Sequence, residues 1–203
     1  MHISEGFLSP GVLATGWAVT AAGVAWGIKK MDEGEIVRVS MASSVFFLAS
    51  LVNVRVGPSA AHLSLIGPVG LMLGWASFPA MFTALLLQAV LFQFGGLLVL
   101  GANCASMAVP AVLANALFGS FVRGRGEKIA AAASFFAGAL AVLTSAGIAG
   151  LLLFFSDHGM ALTAKTLLAA HLPLSAVEGA TALFMTLFLR RAFPDILTGG
   201  GRP

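Results

Sequence analysis

The sequence predicts an all-α integral membrane protein, a bundle of seven transmembrane helices with its N-terminus outside the cell and its C-terminus inside. Two observations predict this class. Of the 203 residues, 59% are hydrophobic and only 9% are charged, whereas about 25% of the residues of a soluble domain are charged. The uncharged stretches also approach the roughly 20 apolar residues that a helix needs to cross a bilayer. Composition therefore excludes a soluble domain with an aqueous surface.

Seven apolar runs give the predicted helices in chain order. They cover residues 10–28, 36–56, 65–76, 80–100, 106–122, 129–155 and 166–189. The charged stretch KKMDEGE closes the first run, and the third, the shortest, stops near Pro79. The chain is then a single transmembrane domain, with an external N-terminal segment over residues 1–9, the bundle over 10–192 and a cytoplasmic tail over 193–203.

The distribution of lysine and arginine predicts the orientation. If the N-terminus lies outside, only Arg55 and Lys165 of the 11 basic residues lie outside as well, in agreement with the positive-inside rule. The basic residues that fall on the inside are Lys29, Lys30, Arg38, Arg123, Arg125, Lys128, Arg190, Arg191 and Arg202. The same topology places all four histidines on the outer side: His2, His62, His158 and His171.

The Met1–His2 start offers a chelate for a metal ion. The α-amine of Met1, the amide nitrogen of His2 and the His2 ring would close two fused rings on one ion, and His62 would supply a fourth nitrogen. Such a plane suits Ni²⁺, Cu²⁺ or low-spin Co²⁺ and does not suit Mg²⁺ or Ca²⁺. We expect Met1 to be retained, because His2 is large and the start lacks the basic region and cleavage site of a secretory signal. From the residues alone, solvated loop histidines are the favoured interpretation, and the chelate is the alternative.

Four segments give the chain a family resemblance. MHISEGFLSP, GPSAAHLSLIGPVG, LLLQAVLFQFGGLLVLGAN and HLPLSAVEG, at these separations, resemble the CbiM/NikM family of substrate-specificity (S) components of cobalt and nickel energy-coupling-factor (ECF) transporters. The resemblance implies a seven-helix fold with an external N-terminus that inserts into the bundle. It also implies that the Met1 amine, the His2 amide and ring, and the His62 ring hold the metal. Arg55, close to His62, departs from the apolar residue typical of the family, and Asp157 or Glu178 would be its candidate partners.

The resemblance also implies partners and a substrate. A transmembrane coupling (T) subunit, two cytoplasmic ATPase subunits and a small CbiN-like accessory membrane subunit would complete the transporter in the bacterial inner membrane. The substrate would be Co²⁺, which the EGFL opening favours, with Ni²⁺ as the alternative. Nucleic acid is not an expected partner, because the basic residues lie in short loops rather than in patches.

Five further residues are candidates for supporting the metal site. Glu178 is a carboxylate inside a predicted helix, where a charge is costly to bury, and it shares a helix face with His171 seven positions earlier. It would either orient the ligand loops or pair with Arg55 or a hydroxyl group. Asn53 and Asn103, at outer helix ends, would bind ligand groups or cap helices. Glu5 would neutralise the site or bind loop amides.

Other functions are less well supported by the sequence. No P-loop of the form G-x-x-x-x-G-K-[ST] is present, so we expect ATP hydrolysis in separate partner chains and no enzymatic activity here. A self-sufficient secondary metal permease would need a relay of titratable groups, and Glu178 alone is a poor one. An intramembrane metalloprotease is disfavoured because the sequence lacks H-E-x-x-H.

Overall fold

The fold is a helical bundle with one short β-hairpin. The computed structural model describes residues 3–51, 53–56 and 59–198. The elements, in chain order, are α1 (Pro10–Lys30), α2 (Ile36–Leu51), β1 (Asn53–Val56), β2 (Ser59–His62), α3 (Ile66–Leu73), α4 (Ser77–Phe92), α5 (Leu100–Gly124), α6 (Glu127–Ser156), α7 (Ala161–Ala192) and α8 (Pro194–Thr198). Short 3-10 turns precede α2, α4 and α7.

The prediction of a membrane protein agrees with this fold. Six helical segments of the described chain are long and apolar enough to cross a membrane. One of them, Ile66–Phe92, contains both α3 and α4. The predicted third helix is therefore shorter than expected: α3 has eight residues, or about 12 Å of helix, and does not span a bilayer by itself. Each of the seven predicted apolar runs overlaps one of α1–α7, but in the described part of the chain these helices form six candidate spans rather than seven.

Several predicted helix boundaries were wrong. The second helix was expected to continue to residue 56, but α2 ends at Leu51 and the chain then forms an antiparallel hairpin that pairs Asn53 with His62. The alternation of β-branched and other residues in VNVRV is a strand pattern that the apolar run concealed. The fourth and fifth helices were expected at 80–100 and 106–122. Instead α4 ends at Phe92, where the C-cap Gln93 adopts a left-handed φ of 56°. Helix α5 begins at Leu100, after Gly95 and Gly96 with positive φ angles of 76° and 128°.

Contacts between the helices define two ends of the bundle. At one end, which we call the Ile3 end, the backbone N–H of Ser9 donates to Ser156 Oγ at the end of α6 (3.0 Å). At the opposite end, Arg190 of α7 donates to the carbonyl oxygens of Val122 (2.6 Å) and Arg125 (2.9 Å). Basic residues at the ends of α1, α5 and α7 cluster at this second end.

Helices α3, α6 and α7 pack backbone against backbone. A Cβ atom added to Gly67 would lie 2.5 Å from Gly138 Cα, and one added to Gly138 would lie 2.6 Å from the Glu178 carbonyl oxygen. Only glycine permits these approaches, as in other close helix contacts in membranes. The packing fixes the depth of the short helix α3 relative to α7.

The C-terminal end of α3 is bound by polar side chains of α5. Asn115 donates to the carbonyl oxygen of Gly70 (2.8 Å), and Arg123 donates to that of Leu71 (3.2 Å). These groups satisfy carbonyls that a helix C-terminus leaves without intrahelical partners, and the guanidinium complements the negative end of the helix dipole.

Candidate metal-binding site

The N-terminal segment, residues 3–9, is attached to the bundle at the Ile3 end, with Ile3 and Leu8 buried and residues 4–7 exposed. The side chain of Ile3 is fully buried and belongs to an apolar cluster that includes Leu153 of α6 and Leu167 of α7. The Ile3 N–H donates to Asn103 Oδ1 (2.8 Å), and Asn103 Nδ2 donates back to the Ile3 carbonyl oxygen (3.0 Å). One amide of α5 therefore satisfies both backbone groups of the residue that follows His2.

Glu5 continues this attachment along the loop between α4 and α5. Its backbone N–H donates to the Gly95 carbonyl oxygen (3.2 Å), and its Oε1 accepts a hydrogen bond from the Leu98 N–H (3.0 Å). Gly96 lies against the Glu5 side chain and leaves no space for a Cβ atom. Of the two roles expected for Glu5, binding of loop amides is the one that the contacts show.

The segment that follows His62 is bound by the buried carboxylate of Glu178. His62 is the last residue of β2. Glu178 Oε1 accepts hydrogen bonds from the Ser64 N–H and from Ser64 Oγ (2.8 Å), and Oε2 accepts one from the Leu65 N–H (3.0 Å). Leu65 is the N-cap of α3, so the negative charge also lies at the positive end of a helix dipole. Among the described residues, Glu178 thus binds backbone amides and a hydroxyl group.

One face of α7 carries both attachments. Leu167 contacts the cluster that buries Ile3, and Glu178 binds the segment after His62. His171 lies between them and is fully buried. Successive helical residues rise 1.5 Å, so His171 lies about 6 Å below Leu167 and about 10 Å above Glu178 along the axis. The N-terminal segment and the hairpin thus reach the same side of one helix.

The ring of His171 has one bound nitrogen and one free nitrogen. Its Nδ1 lies 2.7 Å from the Leu167 carbonyl oxygen. A carbonyl oxygen only accepts hydrogen bonds, so Nδ1 carries the proton. Nε2 has no hydrogen-bond partner within the described part of the chain, although the side chain is buried. Buried polar atoms without a partner are rare and call for a physical explanation.

The principal predicted ligands are only partly within the described structure. Met1 and His2 lie outside the described residues, and for His62 the structure describes the backbone, which pairs with Asn53 in the hairpin. Asn53 was expected at a helix end and lies instead in β1, because α2 ends earlier. The proposed pairing of Arg55, also in β1, is likewise not described. Within the described residues there is no group of three or more His, Cys, Asp or Glu side chains that could hold a metal ion.

The remaining candidates have defined positions. Asn103 lies in the first turn of α5, whose N-cap is Val99, so it binds Ile3 and does not cap the helix. Asp157 Oδ1 accepts a hydrogen bond from the Gly159 N–H (2.8 Å). His158 packs its ring against Phe154, with ring centroids 4.8 Å apart. The role of Ser64 was not predicted from the sequence, although a serine just before a helical run is a common signal of a helix start.

Comparison with known proteins places these features in context. A family model described as "CbiM: Cobalt uptake substrate-specific transmembrane region" matches residues 2–196. A putative metal transport protein of Haemophilus influenzae is 34% identical over 202 residues, covering 97% of both chains. The cobalt transport protein CbiM of Geobacter sulfurreducens is 33% identical, and the fused nickel transport protein NikMN of Rhodobacter capsulatus is 32% identical. The alignments cover 99% and 97% of this chain but only 62% and 64% of these two longer relatives.

A solved structure shares the fold. The crystal structure of a truncated transition metal transporter superimposes with a TM-score of 0.76 at 23% sequence identity, covering 94% of this chain and 99% of that one. At this level of identity the likeness concerns the fold.

Proposed function

Since this chain belongs to the CbiM family and is a membrane component of cobalt or nickel transport, we propose that it is the subunit that captures the metal ion. The α-amine of Met1, the amide nitrogen and ring of His2 and the ring of His62 would hold the ion in a square of four nitrogens. Square-planar nitrogen coordination suits Ni²⁺ and low-spin Co²⁺.

The observation that carries this proposal is the convergence of two ligand-bearing segments on α7. Ile3, which directly follows the Met1–His2 pair, packs in a cluster with Leu167. Ser64, two residues after His62, binds Glu178 on the same helix. A chain extends at most about 3.6 Å per residue, so Met1 and His2 are confined to within about 7 Å of Ile3. His62 is similarly confined relative to Ser64.

Glu178 supports this site by fixing the hairpin's return into the bundle. Its carboxylate binds the Ser64 N–H, the Ser64 hydroxyl and the Leu65 N–H, and charged acceptors form stronger hydrogen bonds than neutral ones. In metal sites, residues behind the ligands contribute through this kind of orientation. Asn103 has the corresponding role for the N-terminal segment.

The transport cycle that we propose requires partner subunits. The Ile3 end would face the outside, in line with the basic residues at the opposite end. A coupling subunit and two ATPases would supply the energy as in an ECF transporter, and a small CbiN-like membrane protein would assist. The names of the longer fused relatives support an accessory unit.

Co²⁺ is the substrate that we propose, with Ni²⁺ as the alternative. The resemblance of the EGFL opening to cobalt-type members favours cobalt. Relatives named for cobalt and for nickel occur at similar identity, 33% and 32%.

A two-residue extension of the N-terminus tests the proposed site. Adding Gly-Pro before Met1 moves the α-amine out of the first chelate ring, and because a proline nitrogen carries no N–H, no unbroken run of amide nitrogens joins the new terminus to His2. We expect purified protein to lose high-affinity binding of Ni²⁺ and Co²⁺, measured by competition with a chromophoric chelator. The same two residues added after Pro203 are the matched control, and this variant should bind metal as the wild type does. Unchanged affinity in the N-terminally extended protein would refute the amine chelate.

A further inference from the structure

The buried His171 on α7 is the strongest feature that the proposed ligand set does not use. Its ring is fully buried, and the contact between Nδ1 and the Leu167 carbonyl oxygen, 2.7 Å, fixes the tautomer that carries the proton on Nδ1. The lone pair of Nε2 is then available as a hydrogen-bond acceptor. No described residue supplies a donor to it.

The position of His171 restricts what its donor can be. One helical turn toward the Ile3 end, Leu167 shares a cluster with Ile3. About two turns in the other direction, Glu178 binds the segment after His62. Met1 and His2 are confined to the neighbourhood of Ile3 by two residues of chain. The N-terminal chelate is therefore one source of N–H groups near this part of α7 beyond the described side chains, and the hairpin, which also contacts α7, is the other.

The chemistry of the chelate favours the amine as this donor. When a neutral α-amine binds a metal ion it keeps two N–H groups, and the ion makes them more acidic and so better donors. The amide nitrogen of His2 has lost its proton in the complex. In a buried site, an amine N–H without an acceptor would cost about 1–3 kcal/mol.

Resting on the function proposed above, we propose that His171 is a positioning residue whose Nε2 accepts a hydrogen bond from the metal-bound α-amine of Met1. The histidine would thereby orient the free N-terminus in the coordination plane without binding the ion. It would also help to select an unmodified amine, because an acylated terminus has only one N–H and a different geometry.

Three substitutions separate this role from a structural one. His171→Gln keeps an acceptor near the Nε2 position, His171→Asn keeps a donor near Nδ1 that reaches the Leu167 carbonyl, and His171→Leu keeps neither. We expect Ni²⁺ affinity to fall about 10–100-fold in the Asn and Leu variants, the usual effect of losing a residue that orients a metal ligand. The Gln variant should keep most of the affinity. Thermal unfolding of the metal-free proteins checks that all three are folded.

The outcomes distinguish the alternatives. Rescue by Asn but not by Gln, equal weakening of all three variants, or wild-type affinity in all three would each overturn the inference.

A measurement on the unaltered protein adds a test that does not depend on any variant folding: the electron paramagnetic resonance spectrum of the Co²⁺ complex. Splitting from an axial nitrogen would show that His171 binds the metal directly and would overturn the proposed hydrogen bond, whereas its absence supports it.

A double-mutant cycle identifies the donor and separates the two proposals. Cu²⁺ binds nitrogen sites more tightly than Ni²⁺ and reports residual affinity in the protein extended by Gly-Pro before Met1. His171→Leu should weaken Cu²⁺ binding in the wild type and have no effect in the extended protein, because the amine is then displaced. An undiminished effect would exclude the amine as partner. If the N-terminal extension leaves metal binding intact, the proposed function fails. If the extension abolishes Ni²⁺ binding but His171→Leu leaves the metal affinity of the otherwise unaltered protein unchanged, only the present inference is refuted.

Discussion

Replacement of Asn103 by leucine would break the attachment of the N-terminal segment while keeping the same number of heavy atoms in the side chain. The Asn103 amide accepts from the Ile3 N–H (2.8 Å) and donates to the Ile3 carbonyl oxygen (3.0 Å), and both residues are buried. Each buried backbone group left without a partner costs about 1–3 kcal/mol. Two such groups give about 2–6 kcal/mol against the bound position of the segment.

This cost should appear in the metal affinity. The proposed ligands Met1 and His2 are in place only when Ile3 is bound, so the apparent dissociation constant rises as the bound fraction falls. At 1.4 kcal/mol per tenfold change, the lower limit of the cost corresponds to about 30-fold. Part of this cost only offsets the free energy by which the wild-type segment favours its bound position, and that part does not change the affinity. We therefore expect Ni²⁺ affinity, measured by chelator competition on purified protein, to fall by about 10–30-fold.

Asn115→Leu is the matched control in the same helix. Asn115 binds the Gly70 carbonyl oxygen (2.8 Å) at the far end of α3, so its loss should lower the unfolding temperature and leave metal affinity close to that of the wild type. Asn103→Asp keeps an acceptor for the Ile3 N–H and should be weakened less than Asn103→Leu. Wild-type affinity in Asn103→Leu, or an equal loss in Asn115→Leu, would refute the reasoning.

Two other predictions concern α3 and its contacts. Glu178→Gln keeps one acceptor oxygen but removes the charge that binds Ser64 and Leu65; we expect metal affinity to fall about 10–100-fold, and an unchanged titration curve would contradict a positioning role. Gly67→Ala places a Cβ atom 2.5 Å from Gly138 Cα; because overpacking costs about 1–3 kcal/mol, the unfolding temperature in detergent should decrease. Gly147→Ala, at a glycine with open space for a Cβ atom, is its control and should unfold like the wild type.

The sequence was sufficient for the class and the family of this protein. A chain with 9% charged residues cannot cover itself with a polar surface, so the membrane assignment follows from composition. The expected family is confirmed by the match over residues 2–196. Apolar runs located α1 and α6 to within two residues at each end, because these helices are bounded by charged or polar residues, whereas α7 begins at Ala161, five residues before the predicted start.

The predicted helix boundaries were wrong where apolar residues continue beyond the end of a helix. In the sequence, strand β1 cannot be distinguished from the apolar run before it, because valine is common both in buried strands and in membrane helices. The end of α4 was predicted too late for the same reason, and the helix ends at Gln93, which adopts a left-handed φ of 56°. Hydrophobicity measures burial, and it does not by itself distinguish a helix from another buried backbone conformation.

The relations between candidate residues were decided only by the tertiary structure. From the sequence, Glu178, Asn103 and His171 were polar residues in apolar helices with several possible partners. Packing of α3 against α6 and α7 brings Ser64 to Glu178, 114 positions apart in sequence, and burial of Ile3 brings its backbone to Asn103, 100 positions away. A buried polar group must find a partner wherever the fold brings one within reach, and that reach depends on how helices distant in sequence pack together.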